Sequence, residues 1–182
     1  DVSLSMRDND FPPSRIEAAK NVIDNFIKGR ESDRIGLVAF ATHSFTVCPL
    51  TIDYNALSNL LSRLNLQTLD NRSTAIGTGL TNAIHRLRDS EAESKVIILL
   101  TDGQENVTTI PALTAAEIAA GFGIKVHTIG MGRLGDFNPA LLTRIARMTG
   151  GMYFQAQDNH ALVSIYEQID EMEQTQIEYN IY

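Results

Sequence analysis

The chain opens "DVSLS", which sets one carboxylate and two hydroxyls at alternate positions: Asp1, Ser3 and Ser5. Residues i, i+2 and i+4 of an extended segment point to one side, so these three can converge provided the segment is extended. Two further groups belong with them. "KVIILL" runs into "TDG", which puts Asp102 at the carboxyl end of an apolar run. "DNRSTAIGTGL" puts Thr74 in a loop that enters a helical pattern. Together the five supply two carboxylates and three hydroxyls, all hard oxygen donors, with no thiol or imidazole beside them in sequence. Such a set suits Mg²⁺, which takes six oxygens at about 2.1 Å and keeps several waters; Mn²⁺ and Ca²⁺ are the alternatives. It is a poor zinc site. Two aspartates balance a divalent ion, and an open position then favours a carboxylate from another molecule. That chemistry is adhesion through a metal bridge rather than hydrolysis.

Positioning such groups requires rigid elements on either side of the loops. Short β-branched runs predict strands at "RIGLVAF" (34–40), "SFTVCPL" (44–50), "KVIILLT" (95–101), "IKVHTIG" (124–130) and "MYFQA" (152–156). "KVIILLT" is apolar almost throughout, as expected of a strand covered on both faces. Helical patterns lie between them. Ile16, Ala19, Ile23, Phe26 and Ile27 form one stripe behind a Ser14/Glu17 capping box, and Pro12-Pro13 blocks helix upstream. Asp53 can cap a helix over 54–64, and Ser73 or Thr74 one over 74–88. Further helices are expected over about 112–121, from Asn138-Pro139 to Gly150-Gly151, and over 160–173. The closing "IEYNIY" (177–182) alternates and reads as an extended tail, which leaves 1–176 as one domain. Strand–helix alternation predicts an α/β fold with a mostly parallel, doubly wound sheet flanked by helices. Ligands of such sheets bind at the carboxyl ends of the strands.

The bulk properties narrow the function. A net charge of −7 with scattered basic residues argues against a nucleic-acid surface. The single cysteine, Cys48, cannot form an internal disulfide and reads as a small core residue. No stretch reaches the length of about 20 apolar residues that a membrane span needs. His43, His85, His127 and His160 are dispersed, and His127 reads as a satisfied buried group. Asp8 and Asp10 read as surface loop charges, and Glu105 and Asn106 as part of a solvated loop beside the site.

The five-part pattern resembles the metal-ion-dependent adhesion site (MIDAS) of von Willebrand factor A (VWA) domains: a DxSxS motif, a separate Thr and a separate Asp. The resemblance implies a Rossmann-like VWA fold in which Ser3, Ser5 and Thr74 bind the metal directly or through water, while Asp1 and Asp102 act largely through bridging waters. A narrower likeness is carried by "SMRDNDFPPSRIEAAK", "RIGLVAFA", "PLTIDYNAL", "TAIGTGL", "LLTDGQEN" and "GGMYFQAQDNHALVSIYEQIDEMEQTQIE". These segments resemble the bacterial aerotolerance-operon (Bat-type, BatA-like) VWA proteins. By that likeness the parent protein is anchored in the bacterial inner membrane, with a periplasmic domain. Its partners would be proteins that offer Asp or Glu, among them other Bat-type VWA proteins and a MoxR-type AAA+ ATPase. The family also has an apolar central strand running into the first Asp. The expectation is therefore a strand absent from this sequence, and a gap between 34–40 and 95–101 rather than direct pairing.

Two other functions compete. A Mg²⁺-dependent phosphohydrolase of the DxDx[TV] kind needs a second acid where this chain has Ser3. Neither a P-loop nor a G-x-S-x-G elbow is present. A scaffold whose site stays empty is the third reading.

Overall fold

The computed structural model describes residues 1–67 and 70–179. A 3₁₀ turn (Leu4–Arg7) leads into helix α1 (Arg15–Lys28). Strands β1 (Ile35–Phe40) and β2 (Ser44–Thr51) form an antiparallel hairpin, and α2 (Tyr54–Arg63) and α3 (Ile76–Leu87) follow. Then β3 (Lys95–Thr101), α4 (Ala112–Gly121), β4 (Ile124–Met131), α5 (Pro139–Met148), β5 (Tyr153–Ala156) and α6 (Asn159–Tyr179) alternate. β3, β4 and β5 pair in parallel, with an unbroken register from Lys95↔Ile124 to Thr101↔Gly130.

The helix starts follow from local chemistry. Ser14 accepts the Glu17 N–H at 3.4 Å, Asp53 accepts that of Ala56 at 2.9 Å, and Asn138 accepts that of Leu141 at 3.0 Å. Each satisfies an N–H that the helix itself leaves free. For α3 the expected cap is corrected. Neither Ser73 nor Thr74 caps it; the residue before the helix is Ala75, and the Gly77 N–H donates to the carboxylate of Glu105.

The parallel sheet is covered on both faces. Ile98, Leu100, Ile129 and Met131 pack with Ile16, Ala19 and Val22 of α1 and with Leu162, Ile165 and Ile169 of α6. Ile97, Leu99 and Val126 face the other way, against Ile76, Leu80 and Ile84 of α3, Ala115 and Ala119 of α4, and Leu142 and Ile145 of α5. The period of two along β3 thus divides one apolar run between two cores. A third cluster of Ile27, Cys48, Leu57 and Leu61 lies under the hairpin.

Among the described residues, β1 and β3 belong to separate sheets. An apolar cleft of about 320 Å³ lies between them, lined by Val38, Phe40, Ile98 and Leu100 among others. Asp1 and Val2 bridge it at the carboxyl ends of the two strands: the Asp1 amino group donates to the Leu100 carbonyl at 3.1 Å, and the Val2 N–H to the Phe40 carbonyl at 2.8 Å. This is the gap expected in place of direct β1–β3 pairing. The carboxyl-terminal helix runs longer than expected, to Tyr179, so residues 177–179 are helical rather than extended. Residues 180–182 of the expected tail lie outside the described residues.

Candidate functional site

The loops that leave β1, β3 and β4 meet at the carboxyl edge of the sheet, where the chain begins. Asp1 is fixed there by two donors. Its Oδ1 accepts the Ser3 N–H at 2.8 Å, and its Oδ2 accepts the Thr101 hydroxyl at 2.6 Å. The Ser3 and Ser5 hydroxyl oxygens lie 3.2 Å apart, and the Ser5 hydroxyl donates to Asp102 Oδ1 at 2.7 Å. Thr74 stands over Gly103, where an added Cβ would lie 2.9 Å from its Oγ1. Ser3, Thr74 and Asp102 are all buried, Asp102 to 1% exposure.

The convergence of Asp1, Ser3 and Ser5 does not come from an extended segment, and that premise is corrected. Ser3 is extended (φ −66°, ψ 164°), but Leu4–Arg7 turn as a 3₁₀ helix, with the Met6 N–H on the Ser3 carbonyl at 3.1 Å. Packing dictates the turn. Val2 and Met6 are both buried in the core beside α1, while Leu4 is left 45% exposed.

Two loops are stitched together to hold Thr74. Its N–H donates to Asn106 Oδ1 at 2.8 Å, and its carbonyl accepts the Asn106 N–H at 3.1 Å. The next residue, Ala75, donates to the Ala41 carbonyl at the end of β1 at 2.8 Å. Glu105 accepts the Gly77 N–H at 3.0 Å and the Ala112 N–H at 3.4 Å. Its carboxylate therefore sits at the N-termini of both α3 and α4, where helix dipoles favour negative charge. Glu105 and Asn106 are thus structural ties as well as part of a solvated loop, in which Asn106 is exposed and Glu105 half-buried.

One basic side chain reaches in. Arg15 Nη1 donates to Asp102 Oδ2 at 2.8 Å, and Nε and Nη2 clamp the two oxygens of Asp10, each at 2.8 Å. The Arg15 pairing holds the Asp10 carboxyl below the usual carboxylate range. Asp102 shifts the other way: burial pushes its carboxyl up, against the pull of Arg15 and Ser5. Asp10 is therefore an ion-pair partner and not a free surface charge, whereas Asp8, 3.9 Å from Arg15 Nη2, is a looser partner with its side chain 64% accessible.

These donors fit a small hard cation. Adjacent oxygens on an octahedron with bonds of about 2.1 Å are about 3.0 Å apart. The Ser3–Ser5 separation of 3.2 Å is close to that value, and the Ser5 hydroxyl can still donate to Asp102 while its oxygen faces a cation. Each carboxylate oxygen of Asp1 keeps a lone pair beyond its one hydrogen bond, and so can accept from a metal-bound water.

The family model for the von Willebrand factor type A domain matches residues 1–168. The chain belongs to that family. An uncharacterised protein of Borreliella burgdorferi is 32% identical to this VWA domain over 180 residues, covering 87% of the chain and 52% of the relative. The chain spans about half the length of the curated relatives it matches. BatB from Bacteroides thetaiotaomicron has the same fold, with a TM-score of 0.82, 27% identity and 95% of each chain covered. So does an aerotolerance-related membrane protein from Bacteroides fragilis, with a TM-score of 0.80, 26% identity and 93% of each chain covered. Among the described residues of this VWA domain, no helix is long and apolar enough to cross a membrane.

Reading the sequence missed Thr101, Arg15 and the roles of Glu105 and Asn106. Arg15 did leave a signal. A cation in the first turn of a helix opposes the helix dipole, so an arginine directly after the capping Ser14 calls for a carboxylate partner elsewhere. Elsewhere in the VWA domain, His127 is a satisfied buried residue as expected. Its Nδ1 accepts the Met152 N–H at 3.1 Å, which leaves Nε2 to donate to Glu173 at 2.7 Å.

Proposed function

We propose that this VWA domain is a metal-dependent protein-binding module. A divalent cation, Mg²⁺ first, would be held by Ser3, Ser5 and Thr74, with Asp1 and Asp102 acting largely through metal-bound water. When bound, the ion supplies an open, electrophilic position to an Asp or Glu of a protein partner. The chain's own residues fix the donors and exclude water from the buried side. The observation that carries this reading is the convergence of hard oxygens: the Ser3 and Ser5 hydroxyls lie 3.2 Å apart, and Ser5 bonds to Asp102, 97 positions along the chain. The likeness to Bat-type proteins supports a place in a bacterial membrane or envelope complex linked to aerotolerance or other stress. Other Bat-type VWA proteins and a MoxR-type ATPase are the partner classes it suggests. A binding module is favoured over a phosphohydrolase because Ser3 occupies the position where an aspartyl-phosphate enzyme needs its second acid.

The test is to titrate the Mn²⁺-loaded domain with acetate and with short peptides that differ only in Asp/Glu against Asn/Gln. The reading expects binding of the acidic probes that disappears on chelation. Equal binding of acidic and amide peptides, or Asp1-dependent turnover of a generic phosphate ester, would overturn it.

A further inference from the structure

Arg15 is the first residue of α1, yet it is 4% exposed. Its guanidinium donates hydrogen bonds to three carboxylates, and a fourth, that of Asp8, lies 3.9 Å from Nη2. Besides Asp10 and Asp102, its Nη2 donates to Asp136 Oδ2 at 2.8 Å. The three acids come from the 8–14 loop, the end of β3 and the loop after β4, so one planar fork ties three loops at the site's edge. The backbone is shaped to admit it. The Arg15 N–H donates to the Asp8 carbonyl at 2.8 Å. Gly132, at φ +117°, leaves open the space where a Cβ would lie 2.7 Å from Asp136 Oδ2 and 3.0 Å from Arg15 Nη2. That conformation favours glycine for its backbone as well as its size.

The arrangement divides the two oxygens of Asp102. Oδ2 is taken by Arg15, and Oδ1 accepts the Ser5 hydroxyl. Moving Asp102 onto a cation would break a buried charge-assisted pair and leave the guanidinium short of a partner. We infer that Arg15 is a positioning residue that keeps Asp102 out of direct coordination. A cation at Ser3, Ser5 and Thr74 thus keeps its charge for an incoming carboxylate. This rests on the metal-binding reading above. Its cost is weaker metal binding by the free domain, and its gain is a stronger acceptor for the partner.

The probe is Mn²⁺ alone, with water-proton relaxation used to count the waters bound directly to the ion. Three protein ligands on a six-coordinate ion leave three waters in the native domain. In Arg15→Met, Asp102 is released, one water is lost, and Mn²⁺ binds about tenfold more tightly, a change of the size that residues around a metal usually control but of opposite sign to the usual loss. Arg15→Lys guards against a variant that does not fold. It keeps a buried cation, but a compact ammonium lacks the planar fork that holds Asp102 Oδ2 apart from Asp10 and Asp136, so the same loss of a water is expected. A native count of two or fewer overturns the inference without any variant. So does an unchanged count in either folded variant. Failure of the native domain to bind Mn²⁺ at all removes the metal-binding reading itself, a result distinct from either.

Discussion

Alanine at Gly103 would perturb the site while leaving every donor chemically intact. Gly103 does not occupy the left-handed region, so alanine meets no backbone penalty there. The added Cβ would, however, lie 2.9 Å from Thr74 Oγ1 and 3.6 Å from Thr74 Cβ and Cγ2. An ordinary contact begins near 3.4 Å, so the hydroxyl must retreat by about 0.5 Å. That is the tolerance within which a coordinating group has to be held. Thr74 cannot yield freely, because its N–H and carbonyl are both tied to Asn106. The expected result is a ten- to hundredfold loss of Mg²⁺ affinity, roughly 1.4–2.8 kcal/mol. The cost to folding should stay within about 1.5 kcal/mol, the scale of one displaced rotamer. Gly121→Ala is the control, since nothing lies within 4 Å of a Cβ at that position. Calorimetric titration with Mg²⁺ and thermal melts on the three proteins decide the matter. A folded Gly103→Ala domain that binds Mg²⁺ as the native one does would show that Thr74 is not a ligand.

Glu105→Ala removes an acceptor from the first turns of two helices, and should cost about 1–2 kcal/mol by chemical denaturation. It should also weaken Mg²⁺ binding through the Thr74 loop, whereas an effect on stability alone would confine Glu105 to capping. Glu173 gives a pH prediction. Burial alone would raise its carboxyl, but hydrogen bonds from His127 and Lys125 outweigh that and hold it below its ordinary value. A carboxyl lowered on folding stabilises above its unfolded pKa, about 4.3, and loses that contribution as pH falls through the folded value. The melting temperature of the native domain should therefore exceed that of Glu173→Gln near neutral pH, and the difference should close on acidification below about pH 4. A difference that is constant down to pH 2 would contradict this.

Most of the candidate site could be read from the sequence because its parts carry local signatures. DxSxS has its own spacing, Asp102 ends an apolar strand, and Thr74 precedes a helix. Helix starts at Ser14, Asp53 and Asn138 were readable for the same reason, since a capping side chain bonds within three residues. What escaped depends on distance along the chain. Arg15 meets Asp102 87 positions away and Asp136 121 positions away, and Glu105 reaches back 28 positions to Gly77. No local pattern reports such pairings. The 3₁₀ turn escaped for a different reason. Alternation over five residues is equally compatible with a strand and with a turn that buries Val2 and Met6, and only the core beneath them decides. The carboxyl-terminal alternation misled in the opposite sense, because α6 continues through 177–179.

The central claim is that Asp1, Ser3, Ser5, Thr74 and Asp102 act together on one divalent cation. Calorimetric titration of Mg²⁺ into the native domain and into Asp1→Ala and Asp102→Ala tests it most directly, with melting curves to establish that all three are folded. The account predicts one Mg²⁺ site in the native domain and loss of that binding in both variants. Unchanged Mg²⁺ binding in both would contradict it.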